Sequence, residues 1–482
     1  MKAVGIFRYP KMVRVVHSYL HSLYAHPTKQ NQRQHPNGHS AVLLVFIGLA
    51  MCLAPKAYGL PSYARQTGQR CAACHVGGNW PQLTPWGRFF KLAGYIAGKE
   101  FIDREGFEYV PLGVLGQAGI TWAAQPNNSQ GQLVVTQNGT PEFYGTTAEL
   151  GAKLTNWAGI FAEYGVSNQF PGWKGASGPT DIRATHFFHP GNHELLVGVD
   201  TNNDPSVQDV WNTVPSWQYP FYGSPQAPGA PASPMIASLA QESGSVGAYA
   251  LFDREFYVEL SMYRVGNDFF RFMNAGTSYA TGAQYLKGWN PYWRAYWTKE
   301  RGPNVWMVGT FGMHLGVFPD SGSPSGPADT FADTGFDSQY QHLGDMRKLT
   351  LRGSYIYEQQ HWDGSYPLGD VSTPKGNLKT ANLSASFAYR DSWTFTGGYF
   401  FSNGSNNAAL YGITDANGNL LSAKPNTNGY ELEVDRTLTQ NVIAMIQYAG
   451  FTKFNGLASN IDGLGRKPSD NNTLWISVFF AF

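Results

Sequence analysis

Cys71, Cys74 and His75, in the run Cys71-Ala72-Ala73-Cys74-His75, are the side chains whose types and spacing point to chemistry. Cys-x-x-Cys-His is the attachment sequence of c-type haem. Two residues between the thiols let each sulfur reach one vinyl group of the same porphyrin. The histidine next in line then falls beneath the iron as an axial ligand. A zinc site would need two further ligands at suitable spacing, and the only other cysteine is Cys52. A Cys71–Cys74 disulfide would leave His75 and the neighbouring aromatic residues without a role. One covalently attached haem c, held by Cys71, Cys74 and His75, is the cofactor these residues imply.

The beginning of the chain says where such a group would be attached. Residues 1–59 carry seven Lys or Arg and no Asp or Glu, with an apolar run from Ala41 to Leu53 and then Ala57-Tyr58-Gly59. A basic stretch, a short apolar core and a small-x-small site read as a secretory signal. Cleavage is expected after Gly59, with Met12 a second candidate start. The apolar run is shorter than the roughly 20 residues a transmembrane helix requires. Export suits the motif, because c-type haem is attached outside the cytoplasm, and it removes Cys52. Composition then narrows the class. Charged residues make up 14% of the chain and aromatic residues 15%, against about 25% charged in ordinary soluble proteins. No basic excess points to nucleic acid. Few charges, many aromatics and many glycines without a long apolar run suit an outer-membrane β-barrel.

Residues 60–107 form the haem-binding segment. Thr84-Pro85 reads as a helix N-cap followed by a first-turn proline, and a helix is expected from Pro85 to about Ala97. It would carry Trp86, Phe89, Phe90, Leu92 and Tyr95, as candidates to pack on the porphyrin or on any available core. A segment this small cannot bury a haem unaided, so another element must supply a wall.

From residue 108 onward the pattern changes to period-2 alternation, the strand signature. Phe256, Val258, Leu260 and Met262, for example, alternate with Tyr257, Glu259, Ser261 and Tyr263. Sixteen such segments can be counted to residue 482, among them 181–189, 337–346 and 471–482. Tight connections follow the even-numbered segments, as at Asn156, Asp253, Arg347 and Asp391. Long ones follow the odd-numbered, including the Pro-rich stretch Thr201 to Glu242. Sorting of loops by parity belongs to a membrane barrel, whose short turns face the periplasm. The last segment carries Leu474, Ile476, Val478, Phe480 and a terminal Phe482, which resembles the strand by which bacterial outer-membrane proteins are recognised for insertion. The expected fold is all-β: a 16-stranded antiparallel transmembrane β-barrel over 108–482, with the small α-helical haem segment plugging the lumen from the periplasmic side. Glu149, Lys153, Glu163, Arg352, Glu358, Arg390, Glu431 and Glu433 are expected to face that lumen.

A single haem motif ahead of such a barrel resembles the cytochrome–porin fusions that serve as iron oxidases in iron-oxidising bacteria. The resemblance rests on Ala64-Arg65-Gln66-Thr67-Gly68, on the Cys71, Cys74 and His75 motif, and on Leu83-Thr84, Gly87-Arg88, Phe90-Lys91-Leu92 and Gly94-Tyr95. It implies an iron:cytochrome c oxidoreductase that takes electrons from extracellular Fe(II) and passes them to a periplasmic cytochrome c or cupredoxin. Outer-membrane lipid would be its surroundings. No sixth iron ligand carries over: the first Met after His75 is Met235 and the next His is His186. Asp320, Asp329, Asp333, Asp337, Asp363 and Asp370 lie on or beside expected outer loops and are candidates for docking Fe(II), a hard cation suited to oxygen ligands. Two other readings stay open, a substrate-specific porin gated or informed by its haem, and a barrel sheathing a separate multihaem protein.

Overall fold

The computed structural model describes residues 61–78, 82–102, 106–135, 137–167, 174–214, 223–274 and 284–482. The expected signal segment, with Cys52, lies outside them. Sixteen antiparallel strands close into one barrel. They are β1 (Leu112–Ala123), β2 (Glu142–Thr155), β3 (Ala158–Ser167), β4 (Lys174–Phe188), β5 (Leu195–Asn202), β6 (Ser243–Phe252), β7 (Phe256–Val265) and β8 (Asn290–Arg301). The circuit continues through β9 (Asn304–Val317), β10 (Asp329–Leu343), β11 (Arg347–His361), β12 (Lys375–Tyr389), β13 (Trp393–Gly404), β14 (Thr427–Thr439), β15 (Val442–Lys453) and β16 (Thr473–Ala481). Closure comes from β1 against β16, with Ala118 opposite Val478 and Ile120 opposite Ile476. A closed circuit pairs the backbone of every strand on both sides, which is what hydrocarbon demands of a spanning sheet.

The alternation sorts the two faces. Along β7 the outward Leu260 is 72% exposed while the inward Tyr263 is fully buried. Outward Phe256, Val258, Leu474, Ile476, Leu383 and Leu432 make the same apolar exterior around the circuit. Such a surface is stable against lipid and unfavourable against water. Tight turns close one end. Asp253 and Arg254 (φ 50° and 58°), like Arg390 and Asp391 (φ 55° and 48°), both take the left-handed conformation, which matches the twist of two-stranded hairpins.

Two boundaries differ from the sequence reading. β10 begins at Asp329, well before the expected 337, and β4 begins at Lys174 instead of 181. The inward face of β10 is Asp329, Phe331, Asp333, Gly335, Asp337, Gln339 and Gln341. Lumen polarity weakens the apolar alternation by which strands are recognised. A third difference is larger. The described parts of the stretch between β5 and β6, residues 203–214 and 223–242, are not an external loop: Val207, Val210, Trp211, Val214, Ile236 and Leu239 are buried inside the barrel.

Candidate cofactor site

The N-terminal segment lies inside the barrel at the end closed by the tight turns. It contains α1 (Pro61–Thr67), a single turn α2 (Cys71–Cys74) and α3 (Pro85–Leu92). α1 stops at Gly68, whose φ of 68° caps it while its N–H donates to the Ala64 carbonyl at 2.8 Å. From α1, the Tyr63 hydroxyl donates to the Ile160 carbonyl of β3 at 2.8 Å. Arg65 donates to the carbonyls of Val110, at 3.1 Å, and Leu112. Gln66 donates to the carbonyls of Tyr95 (2.6 Å) and Ala97 (2.8 Å). Its oxygen accepts from the Tyr109 hydroxyl and from the Lys153 amide, each at 3.0 Å. One side chain thereby ties α1 to the end of the segment and to the barrel wall.

The motif itself is held by backbone bonds. The His75 N–H donates to the Cys71 carbonyl at 2.8 Å, and the Thr84 N–H to the Cys74 carbonyl at 2.9 Å. Thr84 also caps α3, accepting from the Gly87 N–H at 3.2 Å and donating to the Ala73 carbonyl at 2.5 Å. Gly87 makes this packing possible, since a Cβ there would stand 2.3 Å from the Cys74 carbonyl oxygen. Gly77, at φ 73°, likewise leaves the backbone room against the Ala388 side chain of β12. α3 ends at Leu92, short of the expected Ala97. Gly94 (φ 78°) donates to the Lys91 carbonyl and Tyr95 to the Phe90 carbonyl, both at 3.0 Å, the double bond pattern of a glycine-terminated helix.

Cys71, Cys74 and His75 line one cavity, partly continuous with solvent. Its other walls include Tyr63, Phe90 and Tyr95 from the segment, Leu115, Phe161, Ile443 and Phe479 from the barrel, and Val207 and Asn212 from the stretch between β5 and β6. The three segment aromatics pack as one cluster, with ring centroids 5.0 to 5.8 Å apart. Burial pushes the His75 imidazole down to about 4, so the ring is neutral, the form in which a histidine nitrogen ligates a metal. Burial, and secondarily Cys71, pushes the Cys74 thiol up to about 11. Two thiols and an imidazole on one wall of an apolar chamber can anchor and ligate a metal-bearing macrocycle.

The expected aromatics divide. Phe90 and Tyr95 face the cavity. Leu92 instead packs with Leu196, Trp211 and Tyr249, Phe89 lies 6.0 Å from the Phe187 ring, and Trp86 is 39% exposed. α3 meets the inner stretch through Arg88, whose guanidinium lies 3.7 Å over the Trp211 ring, and through Lys91, which donates to the Val207 carbonyl. Burial, partly offset by Asp181, pushes the Lys91 amine down to about 8.

Among the expected lumen charges, Glu149 and Glu163 line the cavity. Lys153 pairs with Glu100 at 3.6 Å, Arg352 donates to the Asn212 carbonyl at 3.0 Å, and Glu433 accepts from Gln447 at 2.7 Å. Glu431 is half-buried on β14. Glu358 accepts from the Met235 amide. Arg390 is a correction: it sits in the exposed turn between β12 and β13 rather than in the lumen. So are three of the proposed docking aspartates. Asp329, Asp333 and Asp337 are buried on β10, not on outer loops. Asp329 accepts from the amides of Gly364 and Ser365, each at 2.9 Å, Asp333 from the Ile236 amide at 3.0 Å, and Asp337 from Arg294 at 2.7 Å. Asp320, Asp363 and Asp370 remain exposed.

The methionines and histidines of residues 61–482 all fall among the described residues. Apart from His75, none of them lines the cavity. Met445 on β15 packs with Leu115, Ile443 and Phe479, which are themselves cavity walls.

No protein-family profile matches the chain, and no curated protein does. Solved structures to which it is similar include Pseudomonas putida OprB at high pH, with 11% identity, 77% of this chain and 93% of that chain covered, and a TM-score of 0.44. Salmonella typhi OmpF in complex with daunomycin gives 11% identity, 77% and 97% coverage and a TM-score of 0.43. The loop L8 deletion mutant of Vibrio cholerae OmpT gives 9%, 77% and 98%, and 0.42.

Proposed function

We propose that this chain is a bacterial outer-membrane cytochrome that accepts electrons from extracellular Fe(II) and passes them to a periplasmic cytochrome c or cupredoxin. Its haem c would be attached through Cys71 and Cys74, with His75 as axial ligand. The observation that carries the reading is the convergence of those three side chains on a single apolar-walled cavity inside a closed barrel. His75 suits the part: its Nδ1 is buried without a hydrogen-bond partner, and its ring is held neutral.

When bound, the haem supplies a one-electron couple at its iron, and the protein supplies burial, ligation and orientation. Tyr63, Phe90, Tyr95, Phe161 and Phe479 give the chamber apolar walls against which a porphyrin would pack. Met445 lies behind the cavity walls Leu115, Ile443 and Phe479; were it to reach the iron as a sixth ligand, its thioether would raise the reduction potential. The hydrocarbon core, about 30 Å thick, offers an electron no intermediate site. A cofactor held within the barrel shortens the distance to both faces. Cys71 lies at the tight-turn end, 3.6 Å from the Gln440 carbonyl, the end a periplasmic carrier would reach.

The test is to purify the mature protein in detergent, stain a denaturing gel for covalent haem, and mix the protein anaerobically with Fe(II). Haem retained on the gel and promptly reduced by Fe(II) is expected. Its absence, or indifference to Fe(II) at acidic and neutral pH, removes the reading. A substrate-specific porin gated by its haem segment is the second reading, favoured by a strand number that elsewhere encloses an aqueous channel. Solute uptake into liposomes independent of Fe(II) would support it.

A further inference from the structure

Two carboxylates share the cavity with Cys71, Cys74 and His75. Glu149 of β2 and Glu163 of β3 stand directly opposite each other in the strand register, facing inward. Glu149 is 3% exposed, and its Oε2 has no hydrogen-bond partner. Glu163 is placed by a defect in the ladder. Ala162 pairs with Thr180 and Tyr164 with Ser177, so Glu163 falls opposite Gly178-Pro179 without a partner of its own in β4. Pro179 has no N–H to donate there, and a Cβ on Gly178 would stand 2.7 Å from the Glu163 Cβ. Bulges of this kind re-aim a side chain, here into the chamber.

Among the described residues, no lysine or arginine forms an ion pair with either glutamate. The cations around the cavity are engaged elsewhere: Lys153 of β2 with Glu100 (3.6 Å), Arg183 of β4 with Asp181 (2.8 Å), and Lys91 of α3 with the Val207 carbonyl. Arg70, between α1 and α2, lies on the cavity beside the motif. The remaining titratable groups facing the chamber are the hydroxyls of Tyr63 and Tyr95, which donate to Ile160 and Asp181, and the motif's own Cys71, Cys74 and His75. β1, β15 and β16 contribute Leu115, Ile443 and Phe479, and the inner stretch Val207 and Asn212, none of which carries charge.

We propose that Glu149 and Glu163 act as a single acid pair that takes up one proton when a haem in this cavity is reduced and releases it on reoxidation. This rests on the haem reading above. Two carboxylates facing each other across adjacent strands, one of them 3% exposed, cannot both ionise at low cost, so they hold protons as a coupled unit. An electron arriving in the same chamber adds one negative charge, and a proton on the pair cancels it. The balance is simple. External Fe(II) becomes Fe(III), the haem iron gains that electron, and one O–H bond forms on a carboxylate with a proton from water. When the periplasmic carrier takes the electron, the O–H bond breaks and the proton leaves. Acid surroundings would therefore make the haem the better electron acceptor.

The experiment is a mediated potentiometric titration of the full haem-loaded protein in detergent, from acidic to alkaline pH, with no Fe(II) present. Over the pair's window the reduction equilibrium should shift up to tenfold per pH unit, about 59 mV for a one-electron couple. The Glu149→Gln/Glu163→Gln double variant should flatten this dependence while the visible spectrum stays that of the wild type. A wild-type potential independent of pH overturns the proposal, and so does a dependence that survives undiminished in the double variant. Should the double variant not load haem, reduced-minus-oxidised infrared spectra of the wild type decide: a protonated carboxyl band must grow on reduction, and its absence is fatal to the pair. Lack of covalent haem would instead defeat the haem reading itself, so the two failures are distinguishable.

Discussion

Gln66 uses both ends of its amide, the nitrogen on Tyr95 and Ala97 and the oxygen on Tyr109 and Lys153. Gln66→Leu keeps the volume and leaves buried partners unsatisfied, at roughly 1–3 kcal/mol for each. The expected outcome is undocking of the N-terminal segment with the barrel intact, read as protease cutting between residues 61 and 107 while the barrel still runs folded on a semi-native gel. Cys74 offers a second measurement. Its thiol, pushed up to about 11 by burial, should hold roughly a hundredfold less thiolate near neutral pH than an unperturbed one. In haem-free protein its alkylation by iodoacetamide is expected to be correspondingly slow and to accelerate toward alkaline pH, a time course followed by mass spectrometry. Met445→Leu, nearly volume-conserving, should leave the barrel and the covalent haem in place but lower the reduction potential and let carbon monoxide bind the reduced form. An unchanged visible spectrum and potential would remove Met445 from the iron.

At the scale of elements, the N-terminal segment depends on how closely α3 can approach the Cys71–His75 motif. Gly87→Ala forces a methyl group to 2.3 Å from the Cys74 carbonyl oxygen, an overpacking expected to cost about 1–3 kcal/mol and to be seen as reduced haem loading per barrel. The inner stretch between β5 and β6 is held differently. Arg294 of β8 lies between Asp209 of that stretch, at 3.1 Å, and Asp337 of β10, at 2.7 Å, all three buried. Asp209 is further satisfied by the amides of Trp211, Thr213 and Val214. Burial opposes its charge, but Arg294 and these amides win and hold the carboxyl below its ordinary value. Arg294→Met strands two carboxylates and should destabilise by roughly 3–5 kcal/mol, making residues 203–242 the first to be cut by protease. Sequence patterning shows elements of this kind unevenly. β7 and β16 were plain because large apolar residues mark their lipid faces. β10 was legible only from Asp337 on, since its outward face before that is Thr330, Ala332, Thr334 and Phe336 while its inward face carries carboxylates. The period-2 parity of Asp329, Asp333 and Asp337 was the signal present in the chain. The inner stretch reads as an external loop because it is long and rich in proline, although Val207, Trp211, Ile236 and Leu239 give it apolar residues to bury. The facing of Glu149 and Glu163 needs both the register of β2 with β3 and the bulge opposite Gly178-Pro179, and neither is written in local pattern. Cys71, Cys74 and His75 were readable at once because their chemistry is fixed by spacing alone.

For the molecule as a whole, two separate pieces of chain occupy one lumen. The N-terminal segment lies at the end closed by tight turns, and the described parts of the stretch between β5 and β6 pack across the interior against β8, β10 and β11. They touch where Arg88 stacks on Trp211 and Lys91 donates to Val207, with the candidate cofactor cavity beside the junction; the two together would form a septum. An electron can cross such a septum through a bound cofactor, whereas a hydrated solute needs an open path. A sixteen-stranded barrel emptied of its contents would be wide enough for water and ions. The wild-type protein in a planar bilayer is therefore expected to conduct far less than an open porin of equal strand number. Replacing residues 205–240 with a short Gly-Ser linker should raise the conductance only partly, because the N-terminal segment still occupies its end. Deleting residues 61–107 as well should open the channel fully. If the intact protein already conducts like an open porin, the septum is not closed in the membrane, and a gated porin becomes the better account of why this barrel carries a haem motif.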